Sequence, residues 1–82
     1  MIHDLKTIPE IWDKVDAREK NFEVRFDDRG YKVGDILRLF RSTSPDFQKE
    51  NFIHRRVTYI LQGGQFGIEP DYVVMGLGEV GQ

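Results

Sequence analysis

The sequence has no cysteine. That excludes a disulfide framework, a thiolate metal site and a thiol nucleophile. It has no long hydrophobic run either; its apolar stretches last a few residues, against the roughly 20 that a membrane-spanning helix needs. Met1 to Lys6 carries no apolar signal-peptide core, so a cytoplasmic location and no membrane association are expected. Only two histidines are present, His3 and His54. Neither stands at metal-ligand spacing from a second ligand, so no zinc site is expected, nor any other metal or cofactor. There is no internal repeat, no linker and no low-complexity tract. The net charge is only −2, which sets the chain apart from strongly basic nucleic-acid binders.

What is present fits one domain, 1–82. Apolar residues at 39% and charged residues at 32% describe a soluble, ordered chain rather than a disordered one. Charge is unevenly spread. From Arg18 to Arg41 seven basic residues stand against five acidic ones, so this segment is net positive while the remainder is net negative. Taken alone, that bias is compatible with an ordinary surface of interspersed signs.

The periodicities give one early helix followed mostly by strands. His3 to Lys6 is short and extended. Thr7 has the position of an N-cap, with Pro9 in the first turn and Glu10 at capping-box spacing. Ile8, Ile11, Trp12 and Val15 then repeat at three and four, so a helix is predicted over about Pro9 to Ala17. Lys20 to Phe26 alternates strictly, with Phe22, Val24 and Phe26 on the apolar side and Asn21, Glu23 and Arg25 on the other. Asp27 to Gly30 is turn chemistry. Further strands are predicted over Ile36–Phe40, Phe52–Leu61 and Tyr72–Leu77, with a polar loop from Arg41 to Asn51. The expected fold is α+β, mainly β: a small antiparallel β-barrel or curled sheet with one early helix packed on it, closed to protect its edges.

Several constellations bear on chemistry. Glu23 and Arg25 share a strand face, with side chains on the order of 7 Å apart. Lys20 has the parity of Phe22 and Val24, so it must snorkel or pair with a carboxylate unless the strand begins after it. These charges make either a surface ion-pair ladder of little energetic worth, the commoner case, or a partly desolvated cleft at a barrel rim. His3 and Lys6 lie close together near the start of the chain. Gln62-Gly63-Gly64-Gln65-Phe66-Gly67 lacks the glycine spacing and lysine of a P-loop. It reads as a strand-ending turn that needs positive φ, or as a loop that brings its backbone near a ligand with Phe66 free to stack. Ser42-Thr43-Ser44 has no histidine and acid arranged for a nucleophilic triad.

Five segments taken in order carry a family likeness: His3–Lys6, Glu19–Arg25, Asp28–Leu37, Val57–Gly67 and Tyr72–Met75. Together they resemble the small bacterial and phage ASCH/PUA domain proteins of the PUA-like superfamily, over nearly the whole chain. The ASCH signature is glycine-x-lysine-x-x-glutamate-x-arginine. Lys20, Glu23 and Arg25 match it, while Arg18 stands where the signature has glycine. The resemblance implies a PUA-like β-barrel with a charged cleft between barrel and helix, and RNA or a nucleotide as ligand. Some more distant ASCH proteins are amidohydrolases of acylated cytidine nucleosides. Their scheme uses the signature lysine, a threonine three residues later as nucleophile, and a distant glutamate. Here the threonine position is Glu23, and Glu69 is the candidate for the glutamate by chain order.

Three functions follow as expectations. The first is an RNA- or nucleotide-binding module, expected to be a monomer. In it Lys20, Arg25 and Lys6 contact phosphate, Glu23 reads an amino group on a base edge, Tyr59 or Phe66 stacks on a base, and His3 completes the ligand-binding set. The second is a protein-interaction module, for example a phage factor with a host protein as partner. The third is a small hydrolase in which Lys20 and Glu23 are the catalytic acid–base pair. It ranks last, because the hydroxyl nucleophile is missing.

Overall fold

The computed structural model describes residues 1–42 and 47–81. Five strands and one helix run in the order β1 (Ile2–Thr7), α1 (Pro9–Asp16), β2 (Phe22–Phe26), β3 (Ile36–Ser42), β4 (Phe47–Gln62) and β5 (Tyr72–Gly78). The strands form a single curled sheet in the order β1-β3-β4-β5-β2. The mainly β class with one helix is therefore the observed one. The pairings β3–β4, β4–β5 and β5–β2 are antiparallel, while β1 lies parallel to β3. Among the described residues no ladder joins β1 to β2. The sheet is thus a half-barrel with an open seam between its first and second strands. No helix among the described residues is long and apolar enough to cross a membrane.

The core lies on the concave face. Leu5, Leu37, Leu39, Val57, Val73 and Met75 point inward from four strands, and Val15 from the helix joins them. Each such burial contributes about 1.5–3 kcal/mol of hydrophobic stabilisation before entropy is counted. The helix is held by Trp12, whose indole Nε1 donates to the Leu39 carbonyl at 2.8 Å. Arg55 is buried and donates to the Val15 carbonyl at 3.1 Å, a second donor to a helix-end acceptor that also takes the Arg18 N–H. Burial also pulls the Arg55 guanidinium below its ordinary pKa.

Several sequence expectations are corrected here. Thr7 is the last residue of β1, not a cap. Its side chain is buried, and the N-cap is Ile8, which makes no side-chain capping bond. The alternation of His3, Leu5 and Thr7 inward explains why: the strand's period of two runs one residue past the predicted boundary. The predicted loop from Arg41 to Asn51 is shorter than expected, since β3 extends to Ser42 and β4 starts at Phe47. The part of it over 43–46, with Thr43 and Ser44, lies outside the described residues.

The turn from α1 to β2 is made despite the arginine at the signature's glycine position. The Arg18 N–H donates to the Val15 carbonyl at 3.0 Å, and the Glu19 N–H to the Lys14 carbonyl at 2.9 Å. This is the Schellman pattern, which needs a left-handed residue just past the helix end. Arg18 supplies it with φ of +63°, at a steric cost that glycine does not carry. Its ion pair with Glu79 is exposed and offsets little of that cost. Arg18→Gly is therefore expected to stabilise the fold by about 1 kcal/mol, raising Tm by roughly 4–8 °C. A thermal melt in which Tm falls would show that the turn carries no such strain.

Candidate functional site: a cation-lined cleft at the open seam

The seam is bounded by the main chains of two edge strands. The Asn21 carbonyl accepts from the Leu77 N–H at 3.0 Å, and the Asp27 N–H donates to the Asp71 carbonyl at 2.7 Å. Odd-numbered residues of β2 thus bond to β5, and the main-chain groups of Val24 turn toward the seam. On the opposite bank the Lys6 carbonyl faces the seam, where it accepts from Arg25 Nη2 at 3.1 Å. The same nitrogen is 3.2 Å from the Thr7 hydroxyl. One guanidinium therefore spans the gap where a barrel would have a ladder.

Glu23 anchors that guanidinium. Its carboxylate Oε2 accepts from Arg25 Nε at 2.7 Å, and its Oε1 accepts from Lys20 Nζ at 3.1 Å. The Glu23 side chain is 3% exposed, whereas those of Lys20 and Arg25 are 20% and 24% exposed. A carboxylate this deeply buried needs compensating charge, and here two cations supply it from opposite sides. Lys20 also donates to the Phe22 carbonyl at 2.6 Å and lies 4.7 Å from the centroid of the Phe22 ring. The three charges sum to one positive, presented to a cleft of about 370 Å³ lined by Lys6, Ile8, Ile11, Lys20, Val24 and Arg25 over Glu23. That volume falls within the range of small-molecule sites, about 300–1,000 Å³.

The alternation of β2 is present, but its faces are reversed from the expected assignment. Glu23 and Arg25 point into the concave side, while Phe22, Val24 and Phe26 are each about half exposed on the convex side. Two faces follow from the period; which is inside does not. At an open seam the inner face is wet enough for a clamped carboxylate. The outer apolar row is partly covered by its neighbours, Phe26 meeting Tyr72 edge-on at 5.6 Å. Lys20 precedes the strand, so strand parity does not bind it.

The structure brings Lys6, Lys20, Glu23 and Arg25 together and leaves three other expected residues elsewhere. His3 is not a cleft residue. It is buried, its Nε2 is 2.8 Å from Asp35 Oδ2, and it packs edge-on against Tyr31 at 4.8 Å. Burial alone would raise the Asp35 pKa, but the His3 ring and the Lys32 N–H outweigh it and hold the carboxyl below its ordinary value. Tyr59 stands exposed on the convex side of β4, opposite Gly76 of β5. Phe66 stands at the tip of the β4–β5 hairpin, 81% exposed.

Glu23 lines the cleft with both carboxylate oxygens engaged by Lys20 and Arg25, and so positions the two cations; reading a base edge, or acting as an acid–base partner of Lys20, would draw on the same carboxylate. Glu69 lies in a second concavity, described below, rather than beside Lys20. Sequence reading missed Thr7, Ile8 and Val24 as site residues. Thr7 was concealed by its match to a helix cap. Val24 contributes through main-chain direction, which no side-chain pattern encodes.

Fold and site together define a small, mainly β half-barrel whose seam presents two cations clamped on one buried carboxylate. The chain belongs to the family described as a domain of unknown function, DUF3850, whose model matches residues 2–77. No curated protein matches the chain.

Proposed function

We propose that this protein is a nucleotide- or RNA-binding module of the ASCH/PUA-like kind, taking a phosphate of its ligand in the seam. One observation carries the reading: Lys20 and Arg25 are fixed by Glu23, yet both line the cleft with part of their side chains exposed. A cation held in place before the ligand arrives loses less rotamer freedom on binding. The excess positive charge suits one phosphate group, and the Val24 main chain beside it supplies a donor and an acceptor for ribose or base. The three matches to the ASCH signature are the three members of the clamp, which supports a shared use of the site.

Titration of nucleoside monophosphates and short single-stranded RNAs at two salt concentrations tests the proposal. Affinity is expected to fall with salt, with a log–log slope of about −0.7 per phosphate contact. Lys20→Ala is expected to weaken binding about tenfold and to remove about one such contact from the slope; Lys20→Arg is expected to restore both in part. Binding that is absent at low salt, insensitive to salt, or unchanged in Lys20→Ala would overturn the reading.

A further inference from the structure

A second concavity, of about 350 Å³, lies on the convex side of the sheet. Its walls are Val24, Ile68, Tyr72 and Val74, with Gly67 and Glu69 at the rim. Val24 also lines the seam, so the two hollows adjoin at a single residue. We propose that this hollow is a second subsite that takes a base carrying an exocyclic amino group, from the nucleotide next to the one whose phosphate sits in the seam. The proposal rests on the nucleotide-binding reading and extends it.

The chemistry of the two hollows is complementary along one ligand. The seam offers cations; the convex hollow offers apolar and aromatic walls and one carboxylate. A phosphate is repelled by Glu69, whereas an amino group on a base edge can donate to it. A flat ring suits the walls, since every base presents a π-face to an aromatic side chain. Tyr72 is braced by Phe26. The loop carrying Glu69 is tied back by the Tyr72 N–H to the Glu69 carbonyl at 3.2 Å and the Gly64 N–H to the Ile68 carbonyl at 2.7 Å.

The hairpin tip adds a second sign of use. The Ile68 N–H donates to the Gln65 carbonyl at 2.9 Å, and the two residues between them, Phe66 and Gly67, have φ of +55° and +77°. Positive φ at both central positions characterises a type I′ turn, which favours asparagine or glycine at the first. A phenylalanine there is strained, and its side chain is almost wholly exposed, so it contributes little to the core. Such an outlier is better explained by contact with something outside the chain. Phe66 adjoins Gly67 at the rim, where it can cover a bound base.

Binding of CMP, the dinucleotides CpC and UpU, and their competition with inorganic phosphate, measured by calorimetry, decides the matter. The expected result is CMP binding through the seam, CpC binding at least tenfold more tightly than CMP, and UpU losing most of that gain. Glu69→Ala should abolish the preference for CpC over UpU, and Phe66→Asn should reduce the dinucleotide gain, both leaving CMP affinity unchanged. CMP binding with no dinucleotide gain, or a CpC preference that survives Glu69→Ala, would overturn the second subsite and leave the seam intact. Failure of CMP, CpC and UpU alike to bind would overturn both.

Discussion

Gly63→Ala is expected to cost the protein at least about 3 kcal/mol, out of a total of roughly 4–12 kcal/mol for a domain of this length. A Cβ at this position would sit 2.0 Å from the Glu69 carbonyl oxygen and 2.6 Å from that of Tyr72. Both are backbone atoms, and the Tyr72 carbonyl is already committed to the Gly63 N–H at 2.8 Å. Neither can yield without moving the β4–β5 connection, so the overpacking cost stands at or above the top of its usual range. Gly64→Ala supplies the contrast. That residue has φ of +86° but nothing within 4 Å of a built Cβ, so it meets only conformational strain of about 1–2 kcal/mol. Thermal melts of the two variants should differ by roughly 4–16 °C in the stated order. Equal melting temperatures would show that the close approach at Gly63 is not rigid.

Glu23→Ala is expected to cost about 2–3 kcal/mol. Removing one partner from a buried ion pair costs about 3–5 kcal/mol, reduced here because the side chains of Lys20 and Arg25 are partly exposed. The urea midpoint should fall with the slope unchanged. Arg25 loses the Glu23 carboxylate and with it the fixed reach to the Lys6 carbonyl, so the link across the seam weakens as well. Adding Arg25→Ala to Glu23→Ala should cost less than Arg25→Ala does alone, because the two act through one contact. Additive effects in that cycle would mean that the clamp is not a unit.

Much of the fold was legible because it rests on short-range periodicity. The helix begins at Pro9 as expected, and β2, β3 and β5 start within two residues of their predicted positions. Pairing was less accessible. Nothing local to Ile2–Thr7 announces that it will lie parallel to a strand more than thirty residues later, so the mixed sheet was not foreseen. The site was legible through three charged residues at signature spacing. Its inward direction was not, since an alternating strand offers the same pattern whichever face it buries, and Phe22, Val24 and Phe26 make the apolar side the natural choice. His3 illustrates the opposite limit: its partner Asp35 is distant in sequence and close only after β1 meets β3. Phe66 could be noticed as an aromatic among glycines, but its left-handed backbone could not.

The pairing of β1 with β3 also bears on the order in which the molecule assembles. Ile2 meets Ile36, so closing this contact means ordering a long intervening stretch of chain, an entropic cost that rises with separation. The hairpin made by β4 and β5 needs only a short connection, and contacts between near neighbours form sooner. The amino-terminal strand therefore arrives after that hairpin, as does β2, whose Phe22 meets Gly76 across a still longer separation, so both banks of the seam arrive late. A ligand that bridges both banks fastens the late-docking amino-terminal strand, so occupancy should slow amide exchange in Ile2–Thr7 more than anywhere in β4 or β5.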